Sequence, residues 1–265
     1  MSKQNGTYNA RLIKGGALVA EVRQLLRVWH PAEDAGKLAE DLVRDNALGK
    51  TSRIRTKDVL RVVFVPRYVE GNPPNAWRFL QPLERANWPI ESLRPLLYYH
   101  AARSDALLYD FVTQVVYGRW RSGSLDIAAP DAVSFIRQAQ KQGKVSPPWS
   151  DAVILRVAQG LLSALRDFGV LTGKVLKRIA PPHLPIPCFV YIAFLIKQET
   201  PSGQRVLEHP DWRLFLLDNA AVERLFMEAH QQGYLQYHAL GNIIRIEFEQ
   251  TTMEGLLNVL LARSA

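Results

Sequence analysis

Residues 149–178 read WSDAVILRVAQGLLSALRDFGVLTGKVLKR, and the order of parts in this stretch constrains the fold more than any other. Ser150 can cap a helix start, and Asp151 in the first turn suits the positive end of the helix dipole. Ile154, Val157, Ala158, Leu161, Leu165 and Phe168 then recur at the i, i+3, i+4, i+7 spacing of an amphipathic helix. Gly169 can take the left-handed conformation that ends a helix. Val170, Leu171 and Thr172 form a short extended run, Gly173 turns it, and Lys174, Lys177 and Arg178 close it. A buried helix, a tight turn, an apolar strand and a cationic tip follow one another in a winged helix, where helix and wing together grip a duplex. The alternative is an ordinary core helix followed by a solvated basic loop.

Charge decides how that stretch is weighed. The formal net charge is +8 with a pI near 9.7, which favours a polyanionic partner. Residues 1–70 hold 13 Lys/Arg against 8 Asp/Glu, residues 137–178 hold 8 against 2, and residues 199–265 hold 5 against 9. Two basic segments and an acidic C-terminal one imply a polarised molecule. The basic segments are expected on one face, because they would repel each other unless a shared polyanion rewarded the arrangement. The acidic segment is expected to stay off that face and to serve packing or a protein partner.

Along the chain, helical periodicity runs through Leu18, Val22, Leu25, Leu26 and Trp29, and His30-Pro31 ends it. Residues 32–46 form a second helical pattern. Thr56 is placed to cap a third through Val59, Leu60, Val63 and Phe64, which Pro66 stops. Arg44, Lys50, Arg53, Arg55, Lys57, Arg61 and Arg67 crowd this loose helix-turn-helix, and Ser52 adds a hydroxyl donor suited to phosphate oxygens. A solvated charged turn explains the same residues. Residues 71–89, with Pro73, Pro74, Pro82 and Pro89, read as a packed loop with short helical pieces. Residues 91–102 and 105–117 read as a helix pair broken near Ser104. Arg119 and Arg121 flank Trp120, able to contact phosphate and stack on a base, or simply to cover the indole with their stems. A helix over residues 131–142 precedes the central one.

Residues 181–187 are too proline-dense for a helix or a central strand and mark the expected boundary between a basic lobe, 1–180, and a smaller acidic lobe, 181–265. Residues 189–196 are apolar on all sides, so they are buried as either helix or strand. A helix over 219–231 and a hairpin over 234–248 repeat the helix-then-hairpin plan, and Thr251 with Glu254 forms a capping box for a closing helix. The fold class is therefore mainly α: bundle-like helical lobes with winged-helix or helix-turn-helix elements and a small C-terminal β-hairpin.

No constellation asks for catalysis, metal, cofactor or small-molecule substrate. The six histidines show no metal-ligand spacing with Cys188 or with carboxylates, and no phosphate-cradling glycine motif is present. One cysteine excludes an intrachain disulfide and fits a reducing compartment. The most lipid-like run, residues 186–196, is eleven residues long where a membrane helix needs roughly twenty. A cytoplasmic protein with no membrane partner is expected, and the polar N-terminus shows no secretory signal.

Several short motifs carry a family resemblance. Lys14-Gly15-Gly16-Ala17-Leu18 with Glu21, Asn46-Ala47-Leu48-Gly49-Lys50-Thr51-Ser52 and Arg67-Tyr68 resemble BrxA, the small accessory protein of bacterial BREX phage-defence systems. Leu161-Leu162, Gly169-Val170-Leu171 and Trp212-Arg213-Leu214-Phe215 are similar to that family's second half. The resemblance implies a mainly helical, cytoplasmic, non-enzymatic protein that binds double-stranded DNA, encoded beside a methyltransferase and ATPases. It supplies no base-reading residues. On charge and position, the expected DNA contacts are Arg44, Lys50, Ser52, Arg53, Arg55, Lys57, Arg61, Arg67, Arg119, Arg121, Lys174, Lys177 and Arg178, mostly to phosphates and hence largely sequence-independent. The other reading is an assembly adaptor that docks larger BREX subunits through the acidic lobe. RNA binding is disfavoured, since neither a paired-aromatic motif nor a GxxG clamp is present.

Overall fold

Two helices buried over most of their surface form the centre of the computed structural model, which describes residues 7–30, 35–49, 52–241 and 243–263. One of them, residues 186–199, is apolar on every side up to its last turn and so has to be covered all round, and other helices pack around the pair. In chain order, a 3-10 turn at Arg11–Ile13 precedes α1 (Val19–Val28), α2 (Ala35–Arg44) and α3 (Arg53–Asp58). The last of these runs into a π-helical stretch, Val59–Val69. Then come α4 (Trp77–Arg85), α5 (Ile90–Arg103), α6 (Ala106–Asp110), a second π-helical stretch at Phe111–Val116, and α7 (Tyr117–Arg121). Strand β1 (Asp126–Ile127), α8 (Ala129–Lys141), α9 (Asp151–Asp167), β2 (Leu171–Thr172) and β3 (Lys177–Ile179) follow. The chain ends with α10 (Ile186–Glu199), α11 (Gly203–Leu207), a 3-10 turn at Pro210–Phe215, α12 (Asn219–Gln231), β4 (Gln236–Leu240), β5 (Ile243–Glu247) and α13 (Met253–Ala262). The architecture is mainly α, as expected.

The central pair is α5 and α10. His100 of α5 meets the Tyr191 hydroxyl of α10 at 2.8 Å, and Tyr98 of α5 donates to the Leu214 carbonyl at 3.1 Å. Phe189 of α10 stacks on Trp212 at 4.8 Å and meets the edge of Phe226 of α12 at the same separation. The open question over residues 189–196 resolves as helix, with Pro187 tolerated in its first turn because the missing N–H there has no intrahelical acceptor. The buried core runs without interruption across the proline-rich segment 181–187. Helix α13 from the acidic end covers both α4 and α10.

Two local expectations are corrected. Pro66 does not stop the third helix: the backbone widens into the π register from Val59 and carries on to Val69, which accommodates the ring and the absent N–H. Caps also shift by a few residues. Ser52, not Thr56, precedes α3, while Thr56 is buried with its hydroxyl 3.5 Å from the Ser52 carbonyl. Thr252, not Thr251, caps α13 by accepting from Gly255 N at 3.1 Å.

Candidate nucleic-acid interface

The geometry that matters is built by β1, α8, α9, β2 and β3. Strand β3 lies in the middle of the sheet, antiparallel to both neighbours, in the order β1-β3-β2. Ile127, Leu171 and Ile179 are buried, one from each strand. Helix α8 starts where the Asp131 carboxylate accepts from Ala128 N at 2.8 Å. Helix α9 starts after Trp149, whose N–H is held by Gln140 Oε1 at 2.8 Å, and Asp151 in its first turn pairs with Arg137 of α8 at 2.8 Å. Ser150 occupies the N-cap position without a side-chain cap bond. Gly169 at φ +88° ends α9, and Gly173 at φ +86° turns the hairpin so tightly that a Cβ there would stand 2.2 Å from the Leu176 carbonyl oxygen.

The hairpin tip projects into solvent. Val175 is 89% and Leu176 83% exposed, and Lys174 and Arg178 are exposed beside them. Lys177 donates to the Lys174 carbonyl at 2.7 Å, which folds the tip into one cationic knob. Arg178 has no side-chain partner among the described residues.

Helix α9 itself has a solvent face that the sequence reading overlooked. Its inward stripe is the expected one, but Ala152, Leu155, Arg156 and Gln159 line the opposite side and are exposed. Their recurrence at 3–4 residues is the signal that could have found them. The C-terminal half of the helix is flanked by the N-terminal turn, since Leu12's carbonyl lies where a Cβ on Gly160 would be, 2.4 Å away.

The first basic segment sits next to this helix. Gly16 lies against Ala164 of α9, Gly15 lies close against Val63, and the Arg55 guanidinium donates to the Lys14 carbonyl. Lys14 in turn pairs with Asp58 at 3.2 Å. Ser52, Arg53 and Arg61 are exposed and Lys57 is half-buried, all without a side-chain partner among the described residues. Lys50 lies outside the described residues.

The other expected contacts are engaged within the protein. Arg67 is 4% exposed and donates to the carbonyls of Gly16 and Gly15 at 2.7 and 3.2 Å, so it clamps the N-terminal glycines rather than facing outward. Arg119 donates to the Asp126 carbonyl at 2.7 Å and pairs with Asp131, bracing β1 against the start of α8. Trp120 between the two arginines packs against the core. Arg121 pairs with Asp218 at 2.9 Å, where it meets the cap of α12. Arg44 is held by Asp41 and Asp45 at 2.7 and 2.9 Å; these carboxylates raise its pKa further above the ordinary arginine value. Neighbouring sequence cannot reveal such pairings when the carboxylate comes from 12 or 97 residues away.

Among the described residues no group of three or more His, Cys, Asp or Glu could hold a metal ion, and no helix is long and apolar enough to cross a membrane. The BrxA family model matches residues 6–195, which include all but the first five residues of the two basic segments and the whole β1–β3 unit. The chain belongs to the BrxA family. Membership implies a BREX-associated defence protein. Two of the fragments that carry the resemblance meet in space: Arg67 reaches the carbonyls of Gly15 and Gly16. The fold resembles the crystal structure of an uncharacterized protein from Magnetospirillum magneticum, with a TM-score of 0.61 at 16% identity, over 80% of this chain and 100% of that one. No curated protein matches the sequence.

Proposed function

We propose that this BrxA protein binds double-stranded DNA without catalysing a reaction on it, and that the β1–β3 unit works as a winged helix. The observation that carries the reading is the strand order β1-β3-β2 around the α8–α9 pair, with an exposed cationic hairpin at its edge. In a winged helix the second helix of such a pair lies in the major groove and the hairpin reaches the flanking backbone. Phosphate contacts then fall to Arg53, Lys57, Arg61, Lys174, Lys177 and Arg178, which are not buried and have no carboxylate partner among the described residues. The connection from Arg55 through Lys14 to Gly16 and α9 supports their acting together. Binding by phosphate neutralisation makes log affinity fall linearly with log salt, by about 0.9 per contact, so a slope between about −4 and −7 is expected for this set. Fluorescence anisotropy of a labelled duplex from low to moderate salt measures it. A slope near zero, or undiminished binding after both cation groups are changed to alanine, overturns the reading.

A second reading has its own observation. Leu240 and Ile243 at the tip of the β4–β5 hairpin are 81% and 70% exposed, on the acidic segment. That suits docking to a larger BREX subunit more than contact with DNA. Co-purification with the neighbouring subunits, lost on changing Leu240 and Ile243 to serine, is its test.

A further inference from the structure

We infer that the outward face of α9 reads base edges, with Arg156 aimed at a guanine and Gln159 at an adenine, within a site of about three base pairs. The inference rests on the duplex-binding reading and goes beyond its phosphate contacts.

Three observations converge on this face. First, the two acids of α9 lie at its ends, and both are neutralised: Asp151 by Arg137 at 2.8 Å and Asp167 by Arg166 at 2.7 Å. The stretch between them therefore presents no carboxylate to a phosphate backbone. Second, the long polar side chains at the middle of the face have no internal work. Arg156 and Gln159 make no hydrogen bond or ion pair with a described residue, whereas Arg44, Arg119, Arg121, Arg137 and Arg166 are all paired with carboxylates. Third, the chemistry of the face suits the major groove. Arg offers a bidentate fork to guanine O6 and N7, Gln pairs with adenine N6 and N7, and an apolar side chain contacts the thymine methyl. Leu155, 45% exposed beside Arg156, is that apolar side chain.

The dimensions agree. Ala152 to Gln159 rises about 10 Å along the helix, close to three base steps of about 3.4 Å each. The segment packed near Gly160 flanks the following turn, so the N-terminal half of α9 is the part free to enter a groove. Asp151–Arg137 fixes that half against α8, which gives the readout a rigid support.

The test is enrichment of bound duplexes from a library with a randomised centre, using the full chain. The wild type is compared with Arg156→Lys and with Arg156→Ala combined with Gln159→Ala. Both positions are exposed, and unchanged circular dichroism and melting temperature show that each variant is folded. The wild type should enrich a short motif in which a guanine and an adenine lie within three base pairs, and changing that guanine should weaken binding by about 5- to 150-fold. Arg156→Lys keeps the charge but not the fork, so it should lose discrimination at the guanine. The double variant should enrich nothing. A wild type that binds duplex with the expected salt dependence yet enriches no motif overturns this inference and leaves duplex binding standing. So does a double variant that enriches the same motif. Absence of duplex binding at every salt concentration overturns both.

Discussion

At the residue scale, buried charges tie the helices before the proline-rich segment to those after it. Arg103 on α5 is almost wholly buried and reaches Asp211 at 3.0 Å and Glu199 at 2.7 Å, both from beyond the proline-rich segment. Asp211 also accepts from the hydroxyls of Tyr99 and Tyr109 at 2.9 and 2.8 Å. Asp211→Ala removes one of the carboxylates of Arg103 and the acceptor of the Tyr99 and Tyr109 hydroxyls, while Glu199 still faces the guanidinium, so it should cost about 2–4 kcal/mol in urea unfolding. A loss below about 1 kcal/mol would mean that water reaches Arg103 freely. One turn earlier, burial with Arg103 nearby pushes His100 down to about 3. The imidazole is therefore neutral in the folded protein, while in the unfolded chain it takes up a proton near pH 6.5. Its contribution is complete above about pH 6.5 and is lost as the pH falls from there towards 3, by about 1.4 kcal/mol per unit. His100→Gln, which cannot be protonated, should show a stability–pH slope shallower by about one proton between pH 6 and 4. Parallel slopes for variant and wild type would assign that proton uptake elsewhere.

At the scale of elements, the β2–β3 hairpin is short and its tip is tied to the rest by little more than its two strands. Lys174 and Arg178 contribute almost nothing to stability by position, since exposed side chains without partners change it by roughly 0.5 kcal/mol or less. Changing both to alanine should leave the melting temperature within a degree or two and flatten the salt slope of duplex binding by about two. A drop in stability without a change in slope would make the hairpin a packing element. The π-helical turns show the same principle from the inside. Residues 59–69 keep Leu60, Phe64 and Tyr68 in the core while Arg67 turns back to Gly15 and Gly16, and a register other than the α-helical one is what carries the helix through Pro66.

For the whole molecule, the core decides how many units there are. It passes from α5 to α10 and from α4 to α13, and the Arg103 set crosses the same junction. Residues 1–180 and 181–265 should therefore unfold in one transition, with tryptophan fluorescence and far-ultraviolet circular dichroism coincident in urea. Two separated transitions would show that the proline-rich segment divides the protein into independent lobes. Among the described residues, Arg53, Lys57, Arg61, Arg156, Lys174 and Arg178 have no side-chain partner, and the acidic segment supplies Asp218, Asp211 and Glu199 to ion pairs inside the molecule.

The sequence alone determined what depends on local periodicity and local charge. The 3.6-residue stripe of α9, the glycine that ends it, the hairpin with its lysines, the helix over 219–231 and the β4–β5 hairpin all follow from neighbours within a few positions. The short motifs were enough for the family as well. Only the tertiary structure decided which cations are free, because the partner of a charge is chosen by packing and not by distance along the chain. Arg67 and Arg119 look like Arg53 and Arg61 in a string of letters, yet the first pair is taken up by carbonyls and a carboxylate while the second meets solvent. The strand order β1-β3-β2 belongs to the same category. It needs Asp126 and Ile127 to find a partner some fifty residues away, across two intervening helices, and no local pattern encodes that pairing.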